Sequence, residues 1–125
     1  MTRWNRPNPC SRGRTSPWGT IQHDSIVAPG VHMVDTAGHG GLWVAPHRRA
    51  ELPPGWRKRA WLEEDCEASI GILFLRVPAP PQVDPKEWHR IALATVWRYF
   101  PEIDTSSVRS PLPFSLPALP TDSRP

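Results

Sequence analysis

A chain of 125 residues has material for one domain. Its formal charge of +3 comes from the ends: residues 1–16 carry Arg3, Arg6, Arg12 and Arg14 and no acid, whereas residues 17–104 hold nine basic and eleven acidic side chains. A slightly acidic body excludes a protein-wide cationic footprint for nucleic acid, and an apolar run no longer than Ile70 to Leu75 excludes a membrane-spanning helix.

Residues 1–15 are rich in Arg, Pro, Asn, Ser and Gly and read as a disordered basic arm. They lack the apolar run of a secretory signal. Cys10 in this arm and Cys66 in the body make no disulfide framework, so a cytoplasmic protein with reduced thiols is expected. Order begins at Ser16-Pro17-Trp18-Gly19. Thr20 to Val27 has strand character, Ala28-Pro29-Gly30 makes a turn, and Val31 to Thr36 alternates as a second strand. Ala37 to Gly41 turns again into a short third strand, Leu42 to Ala45, which completes an antiparallel meander.

Pro46 to Leu52 suits one or two helical turns, closed by Pro53-Pro54-Gly55. Trp61 to Arg76 is predicted as a helix, because Leu62, Cys66, Ile70, Leu73 and Phe74 follow its period and the acids Glu63, Glu64, Asp65 and Glu67 would favour its N-terminal dipole. Val77 to Pro81 is a rigid connector. Asp84-Pro85-Lys86-Glu87 supplies a cap, a proline at the first position and the third-position acid of a capping box, opening a helix that stops before Pro101. The prediction is an α+β domain over residues 16–104, with a small antiparallel meander packed by two helices, and an extended Pro-rich tail over 105–125. Six of the seven tryptophans fall inside the domain, where they bury large area per residue.

Two clusters carry possible chemistry. His39 stands among Gly38, Gly40 and Gly41, which leave its imidazole sterically open. Glu63, Glu64, Asp65 and Cys66 follow two dozen residues later. His39 with Glu63 or Glu64 is the candidate acid–base pair. The same residues with Asp65 and Cys66, joined by His23, His32 or His47, are of the type that ligates zinc or iron. No Cys-x-x-Cys, His-x-x-x-His or His-Glu-x-x-His pair accompanies them, so no metal and no particular cofactor is assigned. His-Gly-Gly is also found in the oxyanion loop of some α/β-hydrolases, but the Gly-x-Ser-x-Gly elbow that fold needs is missing. Cys66 is a poor nucleophile beside three acids, which favour the thiol over the thiolate. Arg48, Arg49, Arg57, Lys58 and Arg59 lie near Trp56 and Trp61, an interleaving that can hold a single nucleic-acid strand; an acidic run follows at once.

Ser16-Pro17-Trp18-Gly19, Ala28-Pro29-Gly30, Asp35-Thr36-Ala37-Gly38-His39-Gly40-Gly41 and Trp61-Leu62-Glu63-Glu64-Asp65-Cys66 together resemble, in order and spacing, an uncharacterised bacterial domain family of plasmids and prophages. The chain departs from that pattern at Leu62, where an aromatic is typical, and at Val44-Ala45-Pro46. The resemblance implies a mobile-element setting and supplies no activity. The leading expectation is a non-enzymatic accessory module that binds a host or element-encoded protein through exposed tryptophan and acidic surface, with Trp56, Trp61, Arg48, Arg49 and Asp65 as binding residues. The alternatives are a hydrolase centred on His39, Glu63 and Glu64, and a nucleic-acid-binding module using Arg48 to Trp61.

Overall fold

The computed structural model describes residues 9–108; Arg3, Arg6 and the tail from Arg109 to Pro125 lie outside the described residues. A two-stranded hairpin, β1 (Thr15–Ser16) with β2 (Gly19–Thr20), precedes a four-stranded antiparallel sheet of β3 (His23–Ala28), β4 (Val31–Asp35), β5 (Gly40–Val44) and β6 (Trp61–Glu63), ordered as in the chain. Two helices follow, α1 (Glu67–Phe74) and α2 (Pro85–Tyr99). The fold is the α+β meander with two helices that the sequence implies. The Ala28-Pro29-Gly30 turn forms, with Gly30 at φ +71°, and Pro46–Glu51 is a short 3-10 helix.

Some details differ from the sequence reading. Trp61 to Glu63 is a fourth strand rather than the first turn of a helix, pairing Trp43↔Trp61, Leu42↔Leu62 and Gly41↔Glu63. Leu62 satisfies either period, since it lies four residues before Cys66 and also alternates with Trp61 and Glu63. Pairing with β5 decides the matter: it buries Leu62 completely on one face and sends Trp61 and Glu63 to the other. Helix α1 therefore starts only at Glu67, the sole acid of its first turn.

The helices pack in series. α1 lies on β5 and β6, and α2 lies on α1. That placement explains why α1 is apolar nearly all round, with Ala68, Ser69, Ile70, Gly71 and Leu73 buried. A β-carbon on Gly71 would come within 2.7 Å of Leu42 Cδ1 and 3.0 Å of Leu62 Cδ1, so the missing side chain lets α1 sit close to the sheet. α2 is amphipathic, with Ala92 and Val96 buried and Trp88, Leu93 and Phe100 partly buried against the core. Asp84 caps it by accepting from Lys86 N at 3.1 Å, while Glu87 pairs with Arg90 at 2.6 Å. Ile91, Trp97 and Tyr99 are exposed.

Another difference lies at the N-terminus. Residues 9–15, expected to be a loose arm, are ordered. Cys10 is fully buried in a cluster with Ile21 and Val34, against which Trp18, Trp43 and Trp61 pack. Gly13 N donates to Ile21 O at 2.9 Å and Ile21 N to Arg14 O at 2.8 Å, tying the segment to the link between β2 and β3. Composition hid this contact, because its apolar content is one cysteine. The sheet is thus closed on both faces: Val31, Leu42, Val44 and Leu62 meet the α1 core, and the N-terminal segment covers Val34 on the opposite side. At the other boundary, Val108 packs on the main core and Thr105 accepts from Trp97 Nε1 at 3.0 Å, so ordered structure continues past residue 104.

Candidate functional site

The β4–β5 turn builds the first half of the site. Thr36 Oγ1 accepts from Gly38 N and His39 N, both at 3.2 Å, and Thr36 N donates to His39 O at 3.0 Å. This clasp fixes the turn and leaves the His39 side chain 59% exposed. The glycines that follow serve packing more than access. A β-carbon on Gly41 would collide with the Leu62 carbonyl and stand 2.7 Å from the Trp18 ring, so only glycine lets β5 pass beneath that tryptophan.

The second half comes from β6. Its pairing places Glu63 beside Gly41, and Glu64 N donates to Gly40 O at 3.0 Å. The register therefore carries the acidic turn to the histidine. His39 Nδ1 lies 3.9 Å from Glu63 Oε2 and 3.8 Å from Glu64 Oε2. These are ion-pair separations, longer than hydrogen bonds. Donor atoms of His39, Glu63 and Asp65 also fall within 4.8 Å of one another. One imidazole and two carboxylates can hold a hard or borderline divalent cation, or pass a proton to a bound group. His39 and Asp65 are exposed and Glu63 is half-buried. The adjoining depression, lined by Pro17, Trp18, Arg59, Trp61, Glu63 and Glu67, does not include His39.

Glu67 and Cys66 leave this group. Glu67 Oε1 accepts from Glu63 N at 3.0 Å and from Arg59 at 2.9 Å, stapling the strand end to α1. Cys66 is the half-buried residue that opens α1.

Of the residues expected to bind a partner, Asp65 is exposed beside His39, and Arg48, Arg49, Trp56 and Trp61 are tied into the fold at separate points. Arg48 reaches Glu51 at 2.6 Å, the Leu75 carbonyl at 3.1 Å and the Pro29 carbonyl. Its hydrogen bond, ahead of its charge, holds the Glu51 carboxyl below the ordinary carboxylate value. Arg49 donates to Val44 O at 2.9 Å and Arg57 to Leu52 O at 2.7 Å. Trp56 stacks edge-on to Phe100, ring centres 5.2 Å apart, with Arg59 over its face. Trp61 meets Trp18 edge-on at 5.6 Å. The guanidiniums of Arg48, Arg49 and Arg57 thus face the protein's own carbonyls, which leaves little of the segment to neutralise phosphates.

A second cluster was not visible in the sequence. On the face covered by the N-terminal segment, Cys10, Asp24 and His32 bring donor atoms within 4.8 Å of one another. His32 Nδ1 and Asp24 Oδ1 are 2.7 Å apart, with the two side chains 13% and 20% exposed. Trp43 packs edge-on against the His32 ring at 5.4 Å. Burial, and then the Asp24 charge, push the Cys10 thiol up to about 12, so it is no nucleophile at neutral pH. The hairpin gave the one available signal: pairing outward from Ala28-Pro29-Gly30 sets Asp24 opposite Val34 and Ile26 opposite His32, which makes Asp24 and His32 diagonal neighbours. Nothing in the sequence points from Cys10 to that pair.

The family pattern described as "Domain of unknown function (DUF7007)" matches residues 11–111. The chain belongs to the DUF7007 family. The match covers both clusters except Cys10, which stands one residue before it. No curated protein and no solved structure matches the chain. Among the described residues, no helix is long and apolar enough to cross a membrane.

Proposed function

We propose that this DUF7007 domain is an accessory module that binds another protein through the outward face of α2. One observation carries this reading: Ile91, Trp97 and Tyr99 are 54%, 59% and 54% exposed on a helix whose inner side is anchored by Ala92 and Val96. At about 100° per residue, Ile91, Ala94, Trp97 and Arg98 project on the side opposite Ala92 and Val96. Arg98 also stacks on Tyr99 at 5.4 Å. Tryptophan and arginine beside an apolar centre are residue types that dominate binding energy at protein interfaces, and Tyr99 is exposed at the adjoining end of the helix. Arg98 on this face fits a partner surface that is apolar with an acidic neighbour. A plasmid- or prophage-borne gene, a cytoplasmic setting and a host or element-encoded partner complete the proposal; the mixed motif pattern shared with that bacterial family supports them.

The test is affinity capture from cells of the source organism, with wild type compared against Trp97→Ser and Arg98→Glu. A protein that forms a stoichiometric complex with wild type, and binds each variant at least about tenfold more weakly, is the expected result. Equal retention by wild type and both variants would contradict it.

The convergence of His39 with Glu63 and Asp65 supports a second reading, a cation-assisted or acid–base hydrolase at that surface site. Hydrolysis of model phosphate or acyl esters that is stimulated by Mn2+ or Zn2+ and abolished in His39→Ala would favour it. No turnover with either metal would remove it.

A further inference from the structure

We propose that Cys10, Asp24 and His32 form a zinc site that clasps the N-terminal segment to the sheet. The three donors are a thiol sulfur, a carboxylate oxygen and an imidazole nitrogen, mutually within 4.8 Å. Sulfur and nitrogen exclude the hard cations Mg2+ and Ca2+, and the mixed set suits borderline Zn2+. With Zn–S near 2.3 Å and Zn–N and Zn–O near 2.0 Å, tetrahedral donors stand about 3.3–3.6 Å apart. The cluster reaches that spacing by side-chain adjustments of roughly an ångström.

Placement favours a built site over a chance contact. Asp24 and His32 rise from adjacent strands and are fixed diagonally by the β3–β4 register. The edge of Trp43 restrains the His32 ring, and Trp18 and Trp61 complete an apolar rim. Cys10 enters from the opposite side with no exposed surface at all. A dication bound by thiolate, carboxylate and neutral imidazole has zero net charge, the condition a mostly buried site requires. Binding forms one bond each to Cys10 Sγ, Asp24 Oδ and the His32 ring, and the thiol proton leaves to water. The imidazole stays neutral, its one N–H carried on the ring nitrogen turned away from the ion, so the thiol proton is the only one released, and three protein ligands leave a fourth position for solvent. Segment 9–14, packed on the sheet through Cys10 and bonded around Gly13 and Ile21, gains a direct bond to the centre of the sheet.

This site is separate from the α2 surface and from His39, and its test distinguishes them. The full chain carrying Cys66→Ser is stripped with chelator and titrated with Co2+, so that any sulfur-to-cobalt charge-transfer band must arise from Cys10. A band that saturates at one equivalent, is bleached by Zn2+ and survives His39→Gln is expected. His32→Gln, with its fold checked by circular dichroism, should weaken Co2+ binding by about a hundredfold. A measurement on unmodified protein stands beside these: Zn2+ at a hundredfold excess over its Kd should raise Tm by about 10 °C. Absence of the band from both wild type and Cys66→Ser overturns the proposal. So does a band found only when Cys66 is present, unchanged binding in a folded His32→Gln, or a Tm indifferent to Zn2+.

Discussion

One face of the sheet is closed by aliphatic side chains beneath α1, the other by tryptophans, a cysteine and a histidine–aspartate pair beneath the N-terminal segment. The first face is a continuous core in which Leu42, Leu62, Ile70 and Val44 have no exposed surface. Such a face gains about 1.5–3 kcal/mol per buried side chain and asks nothing of chemistry. Among the described residues the second encloses Cys10, Ile21 and Val34, and it admits groups whose burial is costly unless paired. A small domain that buries polar groups on one face and aliphatics on the other has divided stability from chemistry. Every convergent polar cluster described above lies on the second face or at its rim.

Substitutions can break that division. Leu62→Ala, in the aliphatic core, should cost about 2–5 kcal/mol in denaturant unfolding. If the second face is also a packed core, Ile21→Ala should cost nearly as much, about 2–4 kcal/mol; a loss below about 0.5 kcal/mol would mean that the N-terminal segment merely drapes over the sheet. Gly41→Ala compares the faces at one strand, since its β-carbon meets backbone at Leu62 and the Trp18 ring. It should lose about 1–3 kcal/mol, whereas Gly71→Ala meets only leucine methyl groups and should lose less. His39→Ala should change stability by less than about 0.5 kcal/mol, because its contacts with Glu63 and Glu64 are long and exposed.

The smallest expected effect is on pH dependence. Desolvation lowers the pKa of His89 on α2, so the unfolded chain takes up a proton near pH 6.5 that the folded chain resists. Stability should therefore fall as pH drops through 6.5, and Tm scans of His89→Gln should lose that component. Glu51 has the carboxylate sign: held below its ordinary 4.5 by Arg48, it contributes above that value and loses its contribution only in stronger acid.

The sequence made the first face legible and the second opaque. Turn chemistry at Ala28-Pro29-Gly30 and the cap at Asp84 marked their elements, because each rests on local backbone rules. The strand at Trp61 to Glu63 was misread because three residues satisfy both periods, and long-range pairing with β5 chose between them. His39 and the acidic turn were recognised as residue types, and register brought them together. Cys10 is the opposite case. Its partners are 14 and 22 residues away, and nothing in the composition of residues 9–14 distinguishes an ordered flap from a loose arm.

Cys10 also supplies the most direct measurement of the two-faced sheet. In the Cys66→Ser protein, the rate of Cys10 alkylation is followed under native conditions and compared with the global unfolding rate. The expected result is labelling only when the whole domain unfolds. Labelling at the rate of an unstructured cysteine would show that the second face is open and would contradict the account.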